Sequence, residues 1–186
     1  MRVISGKFKG KKILLPKDNI TRPLRDLVKE SIFNVLKHSN KLNIPTLDIS
    51  VLDLFSGSGS FGLEIISRGA KKVIFVENYA PAYEVLSKNI INLKCQDSSE
   101  ILNNNCFDYI ERLNKEEIKF DLIFLDPPFK EKKINTLIEN IKQKNLLNES
   151  GIIIIHRHKK DDIIITNHLN IIEQRSYGIS KITFGN

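Results

Sequence analysis

Apolar positions along the chain fall into short unbroken runs, separated by stretches with helical spacing. Residues 51–55, 71–76, 121–125 and 151–156 are rich in Val, Ile, Leu and Phe, the pattern of strands buried on both faces. Between them, residues 61–66, 81–93, 109–113 and 137–147 carry apolar side chains three and four apart, as helices do. Gly69 closes the first of these helices. Residues 100–105 read as a further short strand, and 163–166, 171–177 and 180–184 as strand candidates, the last two joined through Gly178 as an antiparallel edge hairpin. Strands alternating with helices predict an α/β fold with a mostly parallel, doubly wound sheet. Ligands of such sheets lie beyond the carboxyl ends of the strands.

Ahead of this pattern, residues 2–15 alternate and turn around Gly6 and Gly10, which predicts a β-hairpin. Residues 16–23 form a connector. A helix is expected over 24–37 with Leu27, Ile32, Phe33, Val35 and Leu36 on its apolar face, then a polar loop over 38–50 punctuated by Pro45. At 186 residues the chain reads as one domain, 1–186, in which the hairpin over 1–16 is a small extension.

Two stretches carry candidate chemistry. The first, VLDLFSGSGSFGLE at 51–64, reads as strand, glycine turn, helix. Gly57, Gly59 and Gly62 match the dinucleotide pattern G-x-G-x-x-G, and Glu77 follows at the distance of a ribose-binding acid. S-adenosylmethionine uses the same strand-turn-helix, with an acid inside the first strand, here Asp53, suited to the ammonium of a methionine moiety. A dinucleotide would bring pyrophosphate to that place, and a carboxylate repels it. The glycine turn alone leaves both cofactors open.

The second stretch, DLIFLDPPF at 121–129, decides between them. Pro127 and Pro128 stop the strand and fix the backbone beyond it. The Asp126 carboxylate and the Pro127 carbonyl then form a rigid acceptor pair beside the aromatic face of Phe129. An exocyclic amine on a flat base has two hydrogens to give and a ring to stack. A strand ended by prolines over a core phenylalanine would look the same in isolation. After a glycine turn and an acidic second strand end, the amine-binding reading is preferred. An adenine 6-amino methyltransferase acting on DNA or RNA would share the motif, though such enzymes usually need a separate recognition domain. A nicotinamide oxidoreductase leaves Asp126–Phe129 unexplained.

Charge adds a partner. The net charge is +7, and residues 1–37 hold ten Lys or Arg against three Asp or Glu, 10 − 3 = +7, so the other residues balance to zero. Lysine-rich composition spread by base bias would not concentrate the whole excess there; a localised basic segment is the footprint of a polyanion. Lys7, Lys9, Lys11 and Lys12, with Phe8 between them as a stacking ring, suit nucleic-acid phosphates. A non-catalytic RNA-binding assembly protein would also explain this hairpin. The two cysteines, Cys95 and Cys106, lack metal spacing and read as free thiols in a reducing cytoplasm. Cys106 is better read as buried filler than as a nucleophile. No metal site is expected. No apolar run approaches about eighteen residues and the first twenty are basic, so neither a membrane span nor a secretory signal is expected.

The ordered pieces RVISGKFKGKKI, TRP followed by D-x-V-K-E-S-I-F-N, VLDLFSGSGSFGLEIISRGA, FVE, LDPPF and RSYG cover nearly the whole chain. In that order they resemble the bacterial RsmD family, which methylates the 2-amino group of a guanine in small-subunit ribosomal RNA. The resemblance implies a class I, Rossmann-like S-adenosylmethionine methyltransferase with a mostly parallel seven-stranded sheet and an RNA-contacting N-terminal hairpin. By position it implies a cofactor site of Thr21, Arg22, Asp53, Phe55, Ser56, Gly57, Ser58, Gly59, Glu77, Asn78, Asn105 and Cys106, with Glu77 on the ribose hydroxyls and Asn105 and Cys106 bordering the adenine. It implies that Asp126, Pro127, Pro128 and Phe129 hold the target base. Arg2, Lys7, Phe8, Lys9, Lys11, Lys12 and Arg25 would meet RNA, either bare or in a ribonucleoprotein assembly intermediate, and a cytoplasmic monomer is expected. The chain departs from the family pattern at Leu24, Arg25, Leu27, Asn105 and His156.

Overall fold

The computed structural model describes residues 1–18, 24–42, 44–113, 118–161 and 168–186. Strands β1 (Ser50–Leu54), β2 (Lys72–Val76), β3 (Ser99–Leu102), β4 (Phe120–Leu125), β5 (Leu147–His158), β6 (Ile171–Tyr177) and β7 (Ser180–Gly185) form one sheet in the order β3-β2-β1-β4-β5-β7-β6. The first five are parallel, and β7 runs antiparallel between β5 and β6. The chain winds outward from β1 to β3, then returns to place β4 on the other side of β1. That reversal opens a crevice at the strand ends, where ligands of doubly wound sheets bind.

Among the described residues five α-helices cover the sheet: α1 (Asp26–His38), α2 (Ser60–Ser67), α3 (Ala80–Leu93), α4 (Cys106–Arg112) and α5 (Ile134–Gln143). Successive strand side chains alternate between faces. Val51, Leu122, Phe124, Ile152 and Ile154 pack with α1, α2 and α3, while Leu52, Leu54, Ile123, Leu125, Ile153 and Ile155 pack with α4 and α5. Burial on both faces explains why these strands read as unbroken apolar runs. Phe61 of α2 lies between Phe33 and Phe124, with ring centroids 5.4 and 3.9 Å away. Emptying that slot by Phe61→Ala would cost about 3–5 kcal/mol.

The expected hairpin is present in outline. The Val3 N–H donates to the Lys11 carbonyl and the Ile13 N–H to the Met1 carbonyl, each at 2.9 Å, and Arg2 and Lys12 form a single antiparallel bridge. Two full strands do not develop, because the N–H groups of Ile4 and Ser5 turn to the Glu64 carboxylate on α2, at 2.7 and 3.0 Å. Lys29 of α1 is fully buried; its ammonium donates to the Arg2 carbonyl at 2.8 Å and lies 3.5 Å from Glu64. Burial pushes the Lys29 pKa down, and Glu64 opposes that shift.

Several boundaries differ from expectation for local reasons. Leu27 is 64% exposed and not on the apolar face of α1, whose buried stripe runs through Val28, Ile32, Val35 and Leu36, one position round the helix. Strand β3 stops at Leu102 because the Asn104 and Asn105 side chains accept from the N–H groups of Asn105 and Phe107 instead of leaving the backbone free to pair. The helix expected over 137–147 ends at Gln143. Asn145 then takes φ +52° and Leu147 already begins β5. The strand expected at 163–166 lies outside the described residues. Among the described residues, no helix is long and apolar enough to cross a membrane.

Candidate active site

The crevice opens where β1, β2 and β4 end level, since Leu54 pairs with Val76 on one side and Leu125 on the other. Phe55 leaves β1 with φ +60°, a left-handed conformation uncommon for an aromatic residue. Its N–H is held by the Cys106 sulfur at 3.3 Å. The Ser56 hydroxyl lies 2.6 Å from the Asp53 carbonyl and 3.1 Å from that of Val76, and the Ser56 N–H also donates to Val76 at 3.1 Å. The turn is thereby closed from inside by its own side chain.

Two glycines have separate physical reasons. At Gly57, φ is +55° and an added Cβ would meet nothing within 4 Å, so the turn there faces open space. At Gly62, an added Cβ would land 2.2 Å from the Phe75 ring and 2.9 Å from the Asp53 carboxylate, so α2 could not sit this close to the sheet with any side chain. Gly59, at φ +81°, is the N-cap of α2. Buried Ser58 is tied down through its carbonyl, which accepts from the Asn89 amide at 3.0 Å.

Three carboxylates surround the turn. Asp53 is 1% exposed, and its carboxylate accepts from the Gly62 N–H at 3.0 Å. Burial holds its carboxyl well above the usual carboxylate range, and the charges of Asp126 and Glu77 push it further the same way. Glu77 accepts from the Gly57 N–H at 2.7 Å and the Tyr79 N–H at 2.8 Å, one on each oxygen. A carboxylate has lone pairs to spare beyond these two, so hydroxyl donors can still be received. Asn78 between them is exposed. The open face over Gly57 and this excess of negative charge fit a ligand with a cationic amino-acid end and a diol.

On the far side of that face, the Asp126 N–H donates to the Leu54 carbonyl at 3.3 Å, which sets the Asp-Pro-Pro-Phe loop beside the start of the turn. The Asp126 carboxylate bonds the imidazole of His156 at 2.7 Å. Arg157, 5% exposed, donates to the carbonyls of Pro128 at 3.0 Å, Phe129 at 3.1 Å and Glu131 at 3.0 Å, and its Nε pairs with Asp161. The carbonyl of buried Pro127 is not among those Arg157 takes. The half-buried Phe129 ring meets the edges of His156 and His158, with centroids 6.1 and 5.2 Å apart.

Other expected site residues are placed as follows. Asn105 caps α4, its side chain accepting from the Phe107 N–H at 2.8 Å. Cys106, expected beside the adenine, buries its thiol against the Phe55 N–H and the Val76 carbonyl, so that group faces the core. Burial also pushes the thiol pKa up, which leaves no nucleophile there. Thr21 and Arg22 lie outside the described residues. Arg2, Lys7, Lys9, Lys11, Lys12 and Arg25 are all exposed. Phe8 instead packs partly against the core, with the Lys7 ammonium 4.7 Å over its ring, so a stacking base would have to displace that ammonium. Among the described residues no group of three His, Cys, Asp or Glu could hold a metal.

Sequence reading missed Arg157, Ser180, Asn89 and the Glu64–Lys29 pair. The signals were slight. His156, Arg157 and His158 are a polar end to an apolar strand, and Glu64 is an acid inside a helix that is otherwise apolar or small.

Known proteins share both sequence and architecture. The family described as Conserved hypothetical protein 95 matches residues 1–186. YlbH of Bacillus subtilis, provisionally named an rRNA methyltransferase, is 34% identical over 184 residues, 98% of this chain and 96% of that protein. Ribosomal RNA small subunit methyltransferase D of Haemophilus influenzae is 32% identical over 181 residues, 96% of this chain and 90% of that one. The solved structure of yhhF from Escherichia coli superposes with a TM-score of 0.83 at 24% identity, covering 100% and 96% of the two chains. The sheet order, the crevice and these relatives agree: the chain belongs to the RsmD family and has the class I, Rossmann-like methyltransferase fold.

Proposed function

We propose that this protein methylates the exocyclic 2-amino group of a guanine in small-subunit ribosomal RNA, with S-adenosylmethionine as donor. The observation that carries the reading is the placement of Asp126. Its backbone is bonded to Leu54 at the lip of the glycine turn, and its charge reaches buried Asp53. A donor over Gly57 and an amine at Asp126 would therefore be neighbours. Family membership supports the coarser part, S-adenosylmethionine-dependent methylation of ribosomal RNA.

S-adenosylmethionine supplies a methyl group made electrophilic by its sulfonium. This chain's residues do the rest. Asp53 and the turn from Phe55 to Gly59 would receive the cationic amino-acid end, Glu77 and Asn78 would receive the ribose, and Asn105 with the backbone of Cys106 would border the adenine. Thr21 and Arg22 are assigned to the cofactor by family position only. A guanine amine is a weak nucleophile because its lone pair is delocalised into the ring. By accepting its two hydrogens, Asp126 and the Pro127 carbonyl would free that lone pair for attack and stabilise the positive charge that develops, and Asp126 would pass on to solvent the one proton that the methylated amine sheds. Pro128 stiffens the loop, and Phe129 stacks the base, offsetting part of an unstacking cost of about a few kcal/mol. Arg2, Lys7, Lys9, Lys11, Lys12 and Arg25 grip the RNA as part of a single domain acting as a monomer. The enzyme takes its specificity from RNA preshaped in a ribonucleoprotein intermediate.

The test is methyl transfer from labelled S-adenosylmethionine to bare small-subunit rRNA, to small-subunit particles lacking the modification, and to DNA, followed by nucleoside mass spectrometry. N2-methylguanosine in the particles is the expected product. N6-methyladenosine would overturn the substrate assignment, absence of cofactor binding would favour a non-catalytic assembly role, and efficient methylation of bare RNA would remove the need for a particle.

A further inference from the structure

Asp126 has to present one particular oxygen to the amine, yet a carboxylate on a single Cβ rotates and its two oxygens exchange. Nothing in residues 121–129 prevents this. The restraint comes from β5, thirty positions on in the sequence. His156 Nδ1 lies 2.7 Å from Asp126 Oδ1, and His156 Nε2 lies 2.8 Å from the Ser180 hydroxyl at the start of β7. His156 and Ser180 are 5% and 1% exposed, so the imidazole and the hydroxyl lie away from bulk water while the Asp126 carboxylate keeps 20% exposure toward the crevice.

The chain of donors can be read from chemistry. A carboxylate has no hydrogen to give, so Nδ1 must carry the proton in the bond to Asp126. A neutral imidazole then has a lone pair on Nε2, and the Ser180 hydroxyl can donate to it. Both nitrogens are satisfied without placing a net charge in a buried position. The Ser180 position is fixed in turn by the sheet, because its backbone pairs with His158 on one side and with Tyr177 on the other. The same imidazole meets the edge of the Phe129 ring at 71°, and His158, two residues on along the same strand face, meets that ring at 72°. One strand end thus holds both the carboxylate and the ring.

We propose that His156, oriented by Ser180, is a positioning residue for Asp126: it occupies Oδ1, so that Oδ2 is the oxygen left to accept from the target amine. This rests on the reading of Asp126 as the amine acceptor. A misplacement of about 1 Å at a reacting centre can lower turnover by roughly 10²-fold, so a rigid second contact has a large effect without touching substrate.

The imidazole can be divided by substitution. In His156→Asn the amide nitrogen falls near the place of Nδ1 and can still donate to Asp126. In His156→Gln the amide reaches toward the place of Nε2 and Ser180, and the donor to Asp126 is gone. Single-turnover methylation is expected to fall about 10- to 100-fold in His156→Gln with the dissociation constants for RNA and S-adenosylmethionine unchanged. His156→Asn should recover to within about fivefold of the wild type. Equal rates in wild type and His156→Gln, or equal loss in both variants, would overturn the proposal, since the second outcome is what mere packing gives.

Nitrogen-15 NMR of the imidazole in the ligand-free protein supplies a readout that needs no activity. Protonated Nδ1, with its resonance moved by Asp126→Ala, is expected; protonated Nε2 alone would overturn the proposal. If His156→Gln does not fold, Ser180→Ala takes its place. That variant should populate both imidazole tautomers and slow transfer severalfold, and an unchanged spectrum and rate would count against the proposal. A wild-type protein inactive on guanine but with the NMR signature intact would sink the proposed reaction and leave the His156–Asp126 geometry standing.

Discussion

The glycine turn and the Asp-Pro-Pro-Phe loop lie side by side at the ends of β1 and β4, yet they are held in opposite ways. The turn is built mainly from its own neighbourhood, with Asn89 and Cys106 reaching it from farther along the chain. The Ser56 hydroxyl, the Gly62 N–H on Asp53 and the Gly57 N–H on Glu77 join groups no more than 20 residues apart in a local strand-turn-helix-strand unit. The loop is held by side chains from β5, where Arg157 takes three of its carbonyls and His156 takes its carboxylate. A nucleotide-like donor needs a rigid backbone cradle. A target base has to be drawn out of RNA and admitted, and the loop that would receive it under the proposed reaction is clamped by Arg157 and His156. Rigidity in one region is local and in the other is borrowed.

The sharpest break of this comparison is Asp126→Ala. Methyl transfer should fall on the order of 10²–10³-fold or beyond while calorimetry shows cofactor binding retained, because the hydrogen bonds that build the turn do not involve the Asp126 side chain. Asp126→Asn, whose amide oxygen still accepts, should lose less. Turnover near wild type in Asp126→Ala would remove Asp126 from the reaction.

Arg157→Ala comes next. Removing a buried guanidinium that serves three carbonyls and Asp161 should cost about 3 kcal/mol by chemical denaturation. Hydrogen exchange should quicken in residues 126–131 and not in residues 55–62. Equal quickening in both would show that the two regions are one unit.

Gly62→Ala attacks the other region. A methyl 2.2 Å from the Phe75 ring forces α2 outward, at about 1–3 kcal/mol, and cofactor affinity should fall before loop exchange changes. Retained affinity would mean that the turn tolerates more strain than its packing implies.

The turn also predicts a pH dependence. Burial raises Asp53, so below its raised pKa the ligand-free protein holds it protonated. A cationic ligand favours the carboxylate, so binding should expel a proton in that range. Affinity for S-adenosylmethionine should therefore climb as pH rises toward the raised value and level off above it. Asp53→Asn should abolish the trend, and a flat wild-type profile would take the ammonium away from Asp53. Smallest is the effect of replacing Lys7, Lys9, Lys11 and Lys12 by Gln. The slope of log affinity for RNA against log salt should flatten by roughly 0.7–0.9 per phosphate contact removed, with the rate on saturating substrate nearly unchanged.

The comparison also explains what could be read from the chain. Strand, Gly57, Gly59, Gly62 and Glu77 lie within one local unit, so spacing alone revealed the turn. Asp126 to Phe129 read as an acceptor pair beside a ring only in company with the glycine turn and Glu77, since two prolines ending a strand over a phenylalanine look the same in isolation. Their supports were not legible, since no spacing relates 126 to 156 until β4 and β5 pair in register, Leu125 against Ile155. Leu27 was misread for a related reason: one turn of α1 fits two stripes, and only the docking of Val28 and Ile32 onto α2 and the sheet selects between them.

The hairpin has a consequence of its own. Asn89 bonds the Leu14 N–H and carbonyl with one carboxamide while the same group holds the Ser58 carbonyl, and Glu64 receives Ile4 and Ser5 from the helix that begins at the glycines. The first fifteen residues are therefore a keystone rather than an appendage. Trimming them to obtain a minimal catalytic fragment would strand a buried acid and a buried amide, loosening the floor of the donor pocket along with the grip on RNA.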